Sequence, residues 1–136
     1  RDGAEVEDDD ELLYEGETYV EFARKIETEK QKTLAFLRHL KAQGQTICGF
    51  GASISCTTLL YHFELGPFIE YLVDDNPAKI GRFSPGLHLP VRGTGSNDGA
   101  DECGYVLCLA WRFAEDFKRA HPNAKLIVPL PRFHVA

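Results

Sequence analysis

Within Thr46–Thr58, TICGFGASISCTT, a short apolar strand (Ile47, Cys48, Phe50) runs straight into Gly49-Phe50-Gly51-Ala52-Ser53. A helical pattern through Leu59, Leu60 and Phe63 follows. A second apolar strand (Ile69, Tyr71, Leu72, Val73) then ends on Asp74. This is the opening of a nucleotide-binding βαβ unit: glycines let the backbone approach a phosphate, and the next helix points its first N–H groups at the anion. The acid after the second strand is where such units accept a hydrogen bond from a ribose. Asp74 stands 25 residues beyond Gly49, near the expected spacing of roughly 20. The motif is incomplete, because Ile54 occupies the position of its third glycine. A glycine pair after a strand also serves a plain tight turn.

In sheets of this kind a ligand lies outside the carboxyl ends of the strands, near the point where strand order reverses. The candidate binding residues there are Gly49, Gly51, Ala52, Ser53, Ser55, Thr57, Asp74, Asp75 and Asn76, with Trp111 at the end of a later strand. Ser53, Ser55 and Thr57 offer hydroxyls to a phosphate or simply cap a helix. Lys79 and Arg82 either reach a pyrophosphate or stand as solvated loop cations. Trp111 either stacks on a ring or packs in the core. No catalytic set emerges. The histidines (His39, His62, His88, His121, His134) lack ligand-like spacing, so no metal site is expected. Asp74 and Asp75 diverge if the chain is extended. Neither GxSxG, a Walker lysine nor HExxH occurs. The residues describe a binding domain rather than a reaction centre.

The elements that must position these residues follow from periodicity and punctuation. A helix is expected from about Thr18 to Gln43, opened by the Thr18–Glu21 capping box and stopped by Gly44. Its apolar residues form two patches, Tyr19–Ile26 and Leu34–Leu40, separated by the wholly polar Glu27–Lys32. The two ends should therefore pack against different things, the first against a neighbouring domain, a second subunit or only solvent. Beyond Asp74, the stretch 76–86 is too rich in Pro and Gly for a helix. Short strands are expected at Leu87–Val91, Tyr105–Ala110 and Lys125–Leu130. A loop or short irregular helix fills Gly93–Gly104, and a helix spans Trp111–Ala120 with Phe113, Ala114 and Phe117 inward. Strands alternating with helices imply a parallel sheet with right-handed crossovers. The expected class is α/β: a reduced Rossmann-like three-layer domain with a mainly parallel sheet and a long N-terminal helix.

Bulk properties narrow the field. A chain of 136 residues with 43% hydrophobic and 26% charged content is one ordinary globular domain. No apolar run suggests a membrane span, and neither membrane nor nucleic acid is an expected partner. The cysteines Cys48, Cys56, Cys103 and Cys108 form no CxxC pair. Buried, reduced thiols in a cytoplasmic protein are the expectation. Arg1 and nine of the 21 acids lie in the first 17 residues, a charge of −8, and the rest of the chain carries +2. Residues 1–16 read as an acidic linker or leader and 17–136 as the domain. The absence of methionine and the opening within an acidic run lead to the expectation of a fragment of a longer chain.

Three segments together resemble the C-terminal domain of S-adenosylmethionine-dependent C-methyltransferases, best known from enzymes that methylate nucleotide-linked keto-deoxysugars. They are Gly49-Phe50-Gly51-Ala52 with Thr58-Leu59-Leu60, the run Val73-Asp74-Asp75-Asn76-Pro77-Ala78-Lys79-Ile80-Gly81 through Ser84-Pro85-Gly86-Leu87-His88-Leu89-Pro90-Val91, and Tyr105-Val106-Leu107-Cys108-Leu109-Ala110-Trp111 with Phe113-Ala114-Glu115. The ending Ile127-Val128-Pro129-Leu130-Pro131 also fits. The resemblance implies a Rossmann-like domain that helps hold the nucleotide-sugar, with Gly49, Gly51, Asp74, Asn76, Lys79 and Trp111 at or near it. It also implies that S-adenosylmethionine and the principal acid/base residues belong to a preceding domain of the parent chain. Ser55-Cys56-Thr57 replaces a common Lys-Gly-Asn, and Arg112 replaces a common Asn. The ligand then differs from the usual deoxythymidine-diphosphate sugar, or another cation such as Arg82 meets its phosphate. Two further functions fit the residues: a stand-alone nucleotide-binding or regulatory module, and the sugar-nucleotide domain of an acyltransferase.

Overall fold

The computed structural model describes residues 2–94 and 102–136, residues 2–17 by their backbone alone. Six strands form one sheet in the order β3-β2-β1-β4-β5-β6. They are β1 (Ile47–Phe50), β2 (Leu72–Val73), β3 (Val91–Arg92), β4 (Tyr105–Cys108), β5 (Leu126–Val128) and β6 (His134–Val135). Every pairing is parallel except β5 with β6. The central position of β1 follows from its composition: all four residues are buried, as a strand covered on both faces requires.

The helices α1 (Asp2–Ala42), α2 (Ile54–His62) and α3 (Ala114–Ala120) complete the layers. Leu34, Leu37 and Leu40 of α1 join Cys56 and Leu60 of α2, and Ile47, Leu72 and Leu107 of the sheet, in one core cluster. On the opposite face Phe117 of α3 packs with Phe50, Cys48, Val73, Val106 and Leu126. The fold is the expected α/β class with three layers.

Several elements differ from expectation. The first helix does not begin at Thr18. It runs from Asp2, so the Thr18–Glu21 pair lies inside it. Residues 2–17 contain no proline to stop it. At the other end Gly44 takes φ +75°, and the Gln45 N–H reaches the Leu40 carbonyl at 3.0 Å, as the glycine stop requires. Of the two apolar patches the second is covered by this chain, and of the first Ile26 alone packs, half-buried, against the core among the described residues. Leu37 is fully buried, whereas Tyr19, Val20 and Phe22 are exposed. The polar stretch between them reaches over the turn after α2, where Lys30 pairs with Glu64 at 3.1 Å.

The strand expected at Leu87–Val91 is reduced to Val91–Arg92. Buried Ser84 captures the Leu89 N–H through its Oγ at 3.0 Å, the backbones of Ser84 and Leu89 also bond, and His88 takes φ +52°. A side chain competing for backbone donors has replaced the ladder. The helix expected from Trp111 opens as a 3-10 turn over Trp111–Phe113. Its tighter period turns Phe113 outward, leaving it 59% exposed. Strand β4 stops at Cys108, where the Leu109 and Ala110 N–H groups share the Phe50 carbonyl. The expected loop at Gly93–Gly104 falls largely on residues 95–101, outside the described residues.

Replacing Leu37 by Ala should lower the unfolding free energy by about 2–5 kcal/mol through a core cavity. Phe22→Ala should change it by less than about 0.5 kcal/mol. Urea unfolding of the two variants measures the contrast.

Candidate functional site

At the carboxyl end of β1 the chain must turn sharply between two neighbours. Gly49 is the packing residue: a Cβ there would lie 2.8 Å from Leu72 Cδ2 and 3.0 Å from Leu109 Cδ1. Gly51 makes the turn, at φ +112°, with its N–H bonded to the Val73 carbonyl at 2.8 Å. Side chains then hold the loop. The Ala52 N–H donates to Asp74 Oδ2 at 2.8 Å, and the Ala52 carbonyl accepts from Lys79 Nζ at 3.1 Å. Asp74 Oδ1 accepts the Asn76 N–H at 2.8 Å, and Asn76 Oδ1 accepts the Ala78 N–H at 3.0 Å. These two turns carry the chain round so that Lys79 faces the glycine loop.

Helix α2 begins here with Ser53 as its N-cap, whose Oγ accepts the Cys56 N–H at 3.3 Å. Ser55 Oγ lies 3.0 Å from Ser53 Oγ, and Thr57 Oγ1 donates back to the Ser53 carbonyl at 3.1 Å. The capping role of Ser53 and the back-bonding of Thr57 are therefore both realised.

A cleft of about 540 Å³ opens at this place. One wall carries Gly51, Ala52, Ser53, Asp74, Asp75 and Lys79. The opposite wall comes from the turn after β4 and from α3: Ala110, Phe113, Asp116, Phe117 and His121. It sits where the crossovers from β1 and β4 diverge to opposite halves of the sheet, the place where open α/β sheets take ligands. Asp75 Oδ1 accepts from Thr94 Oγ1 at 2.7 Å, and Asp116 pairs with Arg119 at 3.1 Å. Phe117 stacks with His121 at 4.6 Å between centroids and against Phe50 at 4.4 Å, making the inner floor aromatic.

Six of the twelve sequence candidates thus line one cleft. Ser55 lies on an adjoining open recess of about 720 Å³ that shares Ser53 and Lys79. Gly49, Thr57, Asn76 and Arg82 are not among the lining residues. Trp111 lines a separate groove, under its own cation–π contact with Arg112 at 5.0 Å. The second wall was missed as a binding surface. Its positions Phe113, Asp116, Phe117, Ala120 and His121 recur at helical spacing, so they form one stripe. A search for an apolar face overlooks it, because the stripe mixes aromatic, acidic and imidazole groups. Among the described residues, no group of three or more His, Cys, Asp or Glu could hold a metal ion.

Truncating Asp74 to Ala should lower stability by about 1–3 kcal/mol, because the Ala52 and Asn76 N–H groups both lose their acceptor. Asp74→Asn, which keeps one acceptor oxygen, should fall between that variant and the native chain in denaturant unfolding.

The same geometry can be set beside known proteins. A family model described as the C-methyltransferase C-terminal domain matches residues 4–131. The C-methyltransferase NovU of Streptomyces niveus is 29% identical over 119 residues, an alignment covering 83% of this chain and 28% of that protein. The chain thus matches only about a quarter of the length of that relative. With the family model spanning nearly the whole sheet and its helices, this chain belongs to the C-methyltransferase C-terminal domain family.

Proposed function

We propose that this domain holds the substrate of an S-adenosylmethionine-dependent C-methyltransferase, and that the substrate is a nucleotide-linked sugar or a related polar metabolite. The observation that carries the reading is the cleft at the sheet's switch point, with Lys79, Asp74, Asp75 and Ser53 on one wall, Ser55 in the adjoining recess and Asp116 on the opposite wall. Asp74, Asp75 and Asp116 outnumber the one lysine, so an anionic group is best accommodated where Lys79 meets the start of α2. Asp75 and Asp116 are better suited to accept hydrogen bonds from sugar hydroxyls, and the exposed Phe113 ring to cover an apolar or planar face. Asp74 has both oxygens engaged by backbone donors, so its part is to fix the loop that presents these groups.

The methyl donor would supply an electrophilic methyl group on a sulfonium. It is assigned here to a preceding domain of the parent chain, along with the base that removes a proton next to the substrate's ketone. That division agrees with the cleft, where the two acids free of the loop already face Thr94 and Arg119. The role of this chain is then binding and orientation, which raises the fraction of bound substrate in reactive geometry. Four free thiols fit a reducing, cytoplasmic setting. Among the described residues no helix is long and apolar enough to cross a membrane, in keeping with a small-molecule partner.

Calorimetry of the intact protein with a nucleoside-diphosphate sugar and with the free nucleoside diphosphate tests the reading. Lys79→Ala should weaken binding of both by about tenfold, the loss of one charge-assisted hydrogen bond. Asp116→Ala should weaken only the sugar-bearing ligand. Absence of binding by either ligand, together with a Michaelis constant unmoved by Lys79→Ala and Asp75→Ala, would remove the cleft from consideration.

A further inference from the structure

Helix α1 extends beyond the core that it helps to build. Tyr19, Ile26, Thr33 and Leu40 recur every seventh residue, so they lie close to one line along the helix. Leu40 and Thr33 are buried, and Ile26 is half-buried against the core. Tyr19, one step further out, is 72% exposed. Phe22 stands three residues from Tyr19 and four from Ile26, shares this face, and is 58% exposed. The face that meets the core at one end of the helix therefore continues past it, uncovered among the described residues.

The charges along α1 change sign at the same place. Residues 2–17 contain nine acids and no base, whereas residues 24–41 contain six lysines and arginines against two acids. The exposed rings lie at the junction. A surface that fits there must offer an apolar centre, a basic stretch toward one end and an acidic stretch toward the other. A second α1 turned end for end offers each of these at the matching place. Lys30, Lys32 and Lys41 already have carboxylate partners within the chain. Lys25, beside the rings, has only Glu21 at 3.8 Å, in an exposed pair. Such pairs are weak, so Lys25 is free to meet the acidic stretch of another copy. Side-by-side parallel helices would instead set nine acids against nine.

We propose that two copies of this chain associate through α1, as an antiparallel pair about a two-fold axis between Tyr19 and Phe22. Such a contact is isologous: Tyr19 of each copy meets Phe22 of the other. Two aromatic anchors per copy form its centre and the charged stretches form its rim, the usual make-up of a specific interface. Each core covers the face from Ile26 onward, which confines the apolar overlap to about three turns of helix. The association is accordingly weak, with a Kd on the order of micromolar.

Sedimentation equilibrium of the intact protein tests the pair. The weight-average mass should rise toward twice that of one chain between about 1 and 100 μM. Tyr19→Glu combined with Phe22→Glu should weaken the association by at least about tenfold. Because both rings lie outside the core, the variant should keep the native circular dichroism, and at about 1 μM its urea midpoint as well. Raising sodium chloride from about 50 to 300 mM should weaken the native pair, because its attracting charges are screened. A parallel pair would respond in the opposite sense. A single-chain mass at every concentration, association that the double substitution leaves intact, or association that salt strengthens would overturn the proposal. So would protection of Tyr19 and Phe22 from hydrogen exchange in a protein of single-chain mass, which would assign the rings to a different occupant.

Discussion

Ala52 is gripped through both of its backbone polar groups, and the geometry of the cleft depends on that grip. Its N–H is held by Asp74 from the end of β2, and its carbonyl by Lys79 from the loop beyond. A turn with φ +112° at Gly51 would otherwise be free to sample other conformations, since glycine carries the largest backbone entropy to lose. Two charge-assisted hydrogen bonds from opposite sides offset that entropy. They also fix where α2 begins, and so where Ser53 and Ser55 stand. The acid that a reader of nucleotide-binding folds assigns to a ribose is, in this domain, first a structural brace.

The sheet divides the labour of the molecule. One face, under α1 and α2, is built from leucine, isoleucine and phenylalanine and supplies most of the packing. The other, under α3, is thinner and chemically more varied, with Cys48, Cys108, Tyr71 and Phe117 in contact. The cleft between α2 and α3 touches this second face through Phe50 and Phe117. His121 lines the cleft as well as the groove outside Cys103, so the two regions share a wall. On the outer side of α1, Tyr19, Val20 and Phe22 remain in solvent, as expected of a patch that does not belong to the core of this domain.

Much of the architecture was legible because it rests on local rules. The apolar runs around Ile47 and Val106 were too short and continuous for helices and became parallel strands. Gly44 ended the first helix because a left-handed residue must follow it. The Pro- and Gly-rich stretch after Asp74 announced a connection without a helix, and turns indeed take its place. What escaped detection was decided by long-range pairing or by side chains competing with the backbone. Strand β6 carries only His134 and Val135 and exists because Leu126 and Ala136 exchange backbone bonds across the sheet edge. Ser84 cancelled most of the strand expected at Leu87–Val91. The capping box at Thr18 was a false start, since such residues tolerate a helix interior whenever the chain upstream continues helical.

The order of residues by itself determined the class of fold, the glycine turn and the acid that faces it, since each depends on backbone conformation within a few positions. Tertiary structure alone decided which groups share the cleft. Asp116, Phe117 and His121 meet Asp74 and Lys79 only because β4 pairs beside β1 and sends its helix to the other face. The turn after β4 likewise separates Trp111 from the ligand candidates it follows in the chain. Proximity between such distant segments is a property of strand order, and local pattern carries no record of strand order.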